Sequence, residues 1–434
     1  MSPVEVGVLG IIALFILLLI RVPVGVSMII VSAIGASVLT APGLALTKLG
    51  SDAVRITQNQ ALSVIPLFVL MGIFLAKANL GAALFDLLNY FLGRKKGGMA
   101  IATLGTSALF GSVCGSVLAA TTTLTAAAVP EMRKHGYDPG FATGVTAAGA
   151  AMGMVIPPST ALVIYGFLTE ESVGQVLMAG ILPGVLIMIL LMLTVPIILL
   201  IKPNYAPKPN KEKTPFPWQS LKYVWAVPFI FLAVFGGIYM GWTTTTEAGA
   251  IGALSSLLFA VATRQMSFKA FIESAISASK VTGMVFFMII GGSVFGMFLT
   301  RSLIPLTMTR YVATLDVAPF FIMLFFLLIY TFLGIFMDEM AILVIMTPIV
   351  YPIIITLGYN GIWFGVITIM MMLEGLLSPP VGIVTLVASS VAKLPSTKVF
   401  IAQWPFWVTL NLAAIIVIAF PVIATIVPSM MFGR

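Results

Sequence analysis

The chain predicts an all-α polytopic membrane protein of two inverted repeats, and three observations support that fold. Apolar residues make up 60% of its 434 positions and charged residues only 8%, where a soluble domain carries about a quarter. Runs near twenty apolar residues recur from end to end, the length a helix needs to cross a bilayer core. A 222-residue shift lays Pro157-Pro158 on Pro379-Pro380, Gly136-Tyr137 on Gly358-Tyr359, Pro130 on Pro352 and Pro183 on Pro405. With 26 prolines, chance matches one position in about seventeen, so four at one shift mark an internal repeat. Paired breaks at matching points of two hydrophobic halves point to the binding site of a transporter.

Taken in order, the first repeat is 1–201. Its scaffold helices lie within 1–93: apolar runs at 5–20, 22–40 and 58–78 read as spans, and 80–93, too short to cross, as an interfacial arm. The small-residue stretch 100–130 reads as a re-entrant hairpin, 139–168 as a helix broken at Pro157-Pro158, and 173–201 as a span. The polar stretch 202–222 is a linker on the cytoplasmic side. The second repeat, 223–434, has scaffold and arm segments over 223–313, with spans at 223–242, 244–263 and 278–300 and an arm at 302–313. A hairpin over 317–355, a broken helix over 360–391 and a final helix over 401–430 follow. With both hairpins entering and leaving by one side, each repeat crosses five times. An odd number inverts the second repeat relative to the first.

Charge fixes the expected orientation. With the N-terminus outside, 17 of the 22 Lys and Arg fall inside, and only Lys48, Arg55, Arg301, Arg310 and Arg434 outside, as the positive-inside rule asks. Treating 100–130 as a full crossing would put either Arg94-Lys95-Lys96 or Arg133-Lys134 outside. The net charge of +8 therefore speaks to topology, not to nucleic acid. One cysteine, Cys114, leaves no internal disulfide framework, and one histidine, His135, leaves no Ser-His-Asp or His-rich metal site. The first apolar run passes into Arg21 and a second span, which reads as a retained helix. An enzyme is not expected.

Four stretches carry the chemistry. Around the first hairpin tip, Ser112, Cys114, Gly115 and Ser116 sit in a run of glycines and small hydroxyls. Such a run permits close helix packing or leaves backbone carbonyls free, and free carbonyls with hydroxyls suit a hard cation such as sodium. At the first break, two prolines remove two helical donors. The carbonyls near Gly153 to Ile156 could then hold a cation, while the half-helix starting near Pro158-Ser159 turns its positive end to an anion. In the second hairpin, Gly334 to Glu339 carry an ionisable pair inside an apolar stretch, which is costly and points to function. Asp338 falls on Ser116 at the 222 shift and reads as a cation ligand or a structural acceptor, while Glu339 is expected to reach solvent at the tip. At the second break, Glu374 lies within about a turn of Ser378-Pro379-Pro380, with Thr385 beyond. That carboxylate could bind a cation, hold a proton or pair with a base. Glu247, after Thr243 to Thr246, reads as a helix cap. Arg301 reads either as a fork for an acid group or as an interfacial cation.

The stretches GSVCGSV, Val129-Pro130-Glu131-Met132, HGYDPGFATGVTAAGAAMGMVIPPS, AGILPG, LGIFMDEMA and GLLSPPVG resemble, in order and spacing, the large membrane subunit (DctM-like) of tripartite ATP-independent periplasmic (TRAP) transporters. The resemblance covers essentially the whole chain. It implies sodium-coupled, elevator-type uptake of a small organic acid, a carboxylate or a sulfonate, across a bacterial or archaeal inner membrane. It also implies two partners, a small four-helix membrane subunit (DctQ-like) and a periplasmic substrate-binding protein. On this chain the resemblance implies sodium sites where Ser112, Cys114, Gly115 and Ser116 approach Gly153, Ile156 and Pro157. A second would lie where Gly334, Met337 and Asp338 approach Ser378 and Pro379. Substrate contacts would fall to Arg301, Ser116, Ser159, Glu374 and Thr385. The alternatives are a stand-alone sodium/dicarboxylate carrier of related elevator fold and a passive channel. Paired broken helices speak against the channel.

Overall fold

The computed structural model describes residues 1–40, 43–78, 80–114, 116–208 and 216–431; at 44–45 and 112–114 the backbone alone is described. Among the described residues it is helical throughout, with no strand. A bilayer core offers no water to exposed backbone groups, so a chain this apolar must close its hydrogen bonds within helices.

The first half runs α1 (Pro3–Leu19), α2 (Val24–Leu39), α3 (Leu44–Thr57), α4 (Val64–Lys77) and α5 (Leu80–Leu92). A helical hairpin follows, α6 (Gly98–Cys114) and α7 (Val117–Lys134), and then the two pieces of the first broken helix, α8 (Pro139–Ala151) and α9 (Thr160–Thr169). α10 (Val173–Ala179) and α11 (Ile181–Ile201) complete it. The second half opens with α12 (Trp218–Val224), α13 (Ala226–Phe231), a π-helical turn at Leu232–Gly236 and α14 (Gly237–Tyr239), which together make one apolar segment. Then come α15 (Thr245–Ala262), α16 (Phe268–Arg301) and the short α17 (Ile304–Thr314). α18 (Pro319–Gly334) and α19 (Glu339–Thr356) form a second hairpin, α20 (Gly361–Leu377) and α21 (Ile383–Ala392) a second broken helix, and α22 (Ser396–Ala419) and α23 (Val422–Met431) the end. Among the described residues seven helices are long and apolar enough to cross a membrane, and the shorter apolar helices include the arm α5 and most of the hairpin and broken-helix segments.

Helix starts recur at nearly one spacing. Val117 and Glu339 open their helices 222 residues apart, as do Pro139 and Gly361. Packing recurs too. α4 lies on α15 and α2 on α16; α7 lies on α21 and α9 on α19. Each of these contacts joins the two halves.

The structure departs from the sequence reading most at α3, α16 and the final span, and α12 starts at Trp218, inside the expected linker 202–222. Residues 44–57 form α3, where no helix was expected, because Lys48 and Arg55 pair with Asp52, which is buried against Ser293 of α16. α16 begins at Phe268, ten residues before the expected 278, since Ser267 caps it through the Ala270 amide. The final span begins at Ser396 and stops at Ala419. Pro421 disfavours helix in the residue before it, and the chain resumes as α23. Glu247 caps α15 in a reciprocal capping box with Thr244.

Candidate functional site: two hairpin–break junctions

Glycine makes the closest approaches. A Cβ on Gly153 would stand 2.5 Å from the Gly111 carbonyl, and one on Gly111 3.2 Å from the Gly153 Cα. In the other half, Gly334 and Gly375 meet in the same way, a Cβ on Gly375 falling 2.7 Å from the Gly334 Cα. Gly153 and Gly375 are 222 residues apart. Backbone thus rests on backbone at two equivalent points, each joining the end of a hairpin's first helix to the approach of a break. The second junction carries two further bonds: Thr331 donates to the Met371 carbonyl (3.1 Å), and the Gly382 amide to the Ile335 carbonyl (3.2 Å).

Beyond each tip a helix starts on a side-chain cap. Ser116 accepts from the Ala119 amide (3.4 Å). Asp338, its counterpart, accepts from the Met340 and Ala341 amides (2.9 and 3.3 Å). A carboxylate there also suits the positive end of α19. Glu339 is 8% exposed, which corrects the expectation that it reaches solvent. As the first residue of α19 it points back among the packed helices instead of out from the tip.

The breaks are finished differently. At the second, α22 supplies the missing donors. The Gln403 amide donates to the Leu377 carbonyl and the Thr385 hydroxyl, both at 2.7 Å. The Trp407 indole donates to the Ser378 hydroxyl (2.7 Å), which itself donates to the Glu374 carbonyl (2.7 Å). At the first break the positions matching Gln403 and Trp407 are Ile181 and Val185. These two, with Ile156, Pro157 and Pro158, line an apolar cavity of about 520 Å³. Here the chain satisfies itself: Ser159 caps α9 through the Leu162 amide and donates to the Met154 carbonyl. Pro157 and Pro158 are buried, Pro379 and Pro380 exposed, and both Pro-Pro bonds are cis.

Chemically, the arrangement offers backbone carbonyls, hydroxyls and helix ends at two matched points inside the molecule. No cluster of three or more His, Cys, Asp or Glu occurs among the described residues. Glu374 is 1% exposed, and neither carboxylate oxygen has a hydrogen-bond partner.

This pairing of hairpins and broken helices over the whole chain is matched at the level of sequence. The family model of the tripartite ATP-independent periplasmic transporter, DctM component, matches residues 11–423. The chain belongs to that family. Among its DctM relatives, the C4-dicarboxylate TRAP transporter large permease protein DctM of Pseudomonas aeruginosa is 31% identical, over 86% of this chain and 87% of the relative. The sialic acid TRAP transporter large permease protein SiaM of Vibrio cholerae is 30% identical, over 86% and 88%. The isethionate TRAP transporter permease protein DctMQ of Oleidesulfovibrio alaskensis is 30% identical, over 88% of this chain but 60% of its own length. Among solved structures, the Alcanivorax borkumensis YdaH transporter shares the fold, with a TM-score of 0.64 at 13% identity over 87% of this chain and 88% of its own.

Within this DctM chain the expected site residues fall in three groups. Gly153, Ile156, Pro157, Gly334, Met337, Asp338, Ser378 and Pro379 lie at or next to the two junctions, as do Ser116, Ser159, Glu374 and Thr385. Gly115 and the side chains of Ser112 and Cys114 lie outside the described residues. Arg301 stands exposed at the end of α16, and its neighbour Ser302 faces Gly7 of α1; no hydrogen bond or ion pair among the described residues joins it to either junction. Sequence reasoning quoted Gly111 in the first hairpin stretch without singling it out, and missed Thr331, Gln403 and Trp407. Gly375 and Gly153 coincide at the 222 shift, a signal the sequence did offer. Gln403 and Trp407 have only Ile181 and Val185 as counterparts, so the repeat could not reveal them.

Proposed function

We propose that this chain carries a small organic acid inward across a cytoplasmic membrane, driven by sodium, with the hairpins and broken helices moving together against the remaining helices. The observation that carries this reading is the pair of equivalent junctions, Gly111 on Gly153 and Gly334 on Gly375. A cation bound beside either would tie a hairpin tip to a break, so that occupancy and closure are linked. The half-helices α9 and α21 begin next to the junctions and turn their positive ends toward them. An acid group bound between them would meet those ends, with Glu374 and Thr385 beside the second. Gly292 and Gly296 on α16 face Val344 and Pro348 of α19. A glycine face of this kind leaves a smooth track against α19.

The substrate class follows from the relatives, whose names give C4-dicarboxylate, sialic acid, isethionate and 2,3-diketo-L-gulonate. All are anionic acids. The chain covers 59% of the SiaT permease and 60% of the DctMQ permease. Those two relatives are fusions, which supports a small membrane subunit as a working partner, and the family name adds a periplasmic binding protein. The distribution of Lys and Arg supports an outside N-terminus.

The test is uptake into proteoliposomes holding this chain and its small subunit, with and without a sodium gradient and purified binding protein. Uptake only when both are present supports the reading. Uptake with sodium alone makes the chain a stand-alone carrier.

A further inference from the structure

A cavity of about 350 Å³ lies between α5 and the first hairpin. Asp86 and Asn89 of α5 form one wall, Thr103 and Thr106 of α6 a second, Thr123 and Glu131 of α7 a third. No Lys, Arg or His lines it. The Thr106 hydroxyl is 2% exposed and has no hydrogen-bond partner, and the Asn89 side-chain oxygen is likewise buried and unpartnered. A buried hydroxyl left without a partner is costly, so water or an ion belongs in this space. At about 30 Å³ per water the volume holds roughly ten, enough for an ion with its hydration shell and too loose for a bare one.

The cavity is directional. Glu131 lies in the last turn of α7, just before Arg133 and Lys134, on the side that the basic clusters place in the cytoplasm. Thr123 stands eight residues earlier, about 12 Å deeper along the helix. The inner end is closed by Phe110 and Leu124, packed with Ala120 and Ala150. Phe110 precedes Gly111, which rests on Gly153. One layer of apolar side chains therefore separates this space from the first junction.

Both charges on its walls are negative. Asp86 accepts from Ser220 (3.1 Å), and Glu131 has Lys134 and His135, both exposed and neither lining the cavity, at 3.8 and 3.5 Å. Exposed pairs of that kind are weak and screened, whereas carboxylates in a cleft with low-dielectric walls concentrate counter-ions.

We propose that this cavity is the cytoplasmic antechamber of the first junction, a site that takes a hydrated monovalent cation and turns the organic anion away. The inference rests on the sodium-coupled reading above. It separates the paths of the two solutes: the cation leaves past Thr123, Thr106 and Glu131, and the acid leaves elsewhere.

Charged thiol reagents test it in inside-out membrane vesicles holding the full chain. Thr123→Cys and Ala127→Cys place thiols at two exposed lining positions, and peptide mass spectrometry separates them from Cys114, the single native thiol. Rates are compared for a trimethylammonium and a sulfonate methanethiosulfonate, each relative to its rate with a free thiol. The antechamber requires at least a tenfold preference for the cationic reagent at both positions, falling below threefold when Asp86→Asn and Glu131→Gln are added. Equal rates, or faster modification by the anionic reagent, would overturn it and make the cavity the anion's route. Sodium-independent uptake with the preference intact would remove the coupling and leave a cation cleft. A lost preference with sodium-driven uptake intact would remove the antechamber alone.

Discussion

At Gly153 and Gly375 one methyl group decides whether hairpin and break can meet. The atoms it would strike are backbone, from Gly111 and from Thr331 and Gly334, so no rotamer change relieves the clash. Overpacking of this kind costs about 1–3 kcal/mol. Gly153→Ala and Gly375→Ala should each lower thermal stability and reduce sodium-driven uptake at least tenfold. Gly283→Ala is the control, because a Cβ there meets open space. In mid-helix it should be neutral or stabilise by up to about 1 kcal/mol. Scanning fluorimetry and uptake on the three variants decide; normal uptake in Gly375→Ala would remove the junction from the mechanism. Asp338 poses a sharper question, since the carboxylate both caps α19 and is a candidate sodium ligand. Asp338→Asn keeps an acceptor for the two amides, while Asp338→Ala loses about 0.5–2 kcal/mol of capping. Sodium activation weakened in both variants marks a ligand. Activation weakened only in Asp338→Ala marks a cap. The repeat pointed to this residue through Ser116. The glycine contacts were less legible, because their partners are backbone atoms some forty residues away, and a glycine in sequence does not say what it touches.

α3 shows how an element escapes a reading based on apolar runs. Its polar residues stop it reading as a span, yet they anchor it. Asp52 is buried and bonds the Ser293 hydroxyl of α16, Lys48 (2.9 Å) and Arg55 (3.3 Å). Burial works against its charge, but the Ser293 hydroxyl, Lys48 and Arg55 outweigh it and hold the carboxyl below its ordinary value. A depressed folded value means the stabilisation is full above an unfolded pKa of about 3.9 and disappears as pH falls through the folded one. Asp52→Asn should therefore lower the melting temperature at pH 7, with the gap to the parent closing below about pH 4. Melting curves from pH 7 to 3 measure this, and a gap independent of pH would mean that shape, not charge, holds α3. The second break teaches the complementary lesson. Its double proline was plain in the sequence, but the groups it frees are met by Gln403 and Trp407, which carry no signal in the repeat.

Across the whole molecule the two halves are not neighbouring domains. α4 lies on α15 and α2 on α16, while α7 lies on α21 and α9 on α19. Mapped through the 222 shift, α4 corresponds to the later part of α16, α15 to α2, α7 to α19 and α21 to α9, so these are two contacts, each made twice. Further links run the same way: Tyr165 of α9 donates to the Gly361 carbonyl of α20 (2.8 Å), and Thr194 of α11 bonds Thr409 of α22 (2.6 Å). Each half thus completes the other's hairpin and broken helix, and the apolar face that one half leaves bare is covered by its partner half. The expected linker 202–222 runs into α12 from Trp218 onward, and its residues 209–215, outside the described residues, provide the place to cut. Expressed alone, 1–208 and 216–434 should each aggregate or be degraded. Expressed together, they should co-purify and restore sodium-driven uptake, because the contacts that matter cross the cut in space and do not need it in sequence. Recovery of either half alone as a monodisperse, thermally cooperative species would show that each repeat closes its own core, and the interlocked architecture would have to be abandoned.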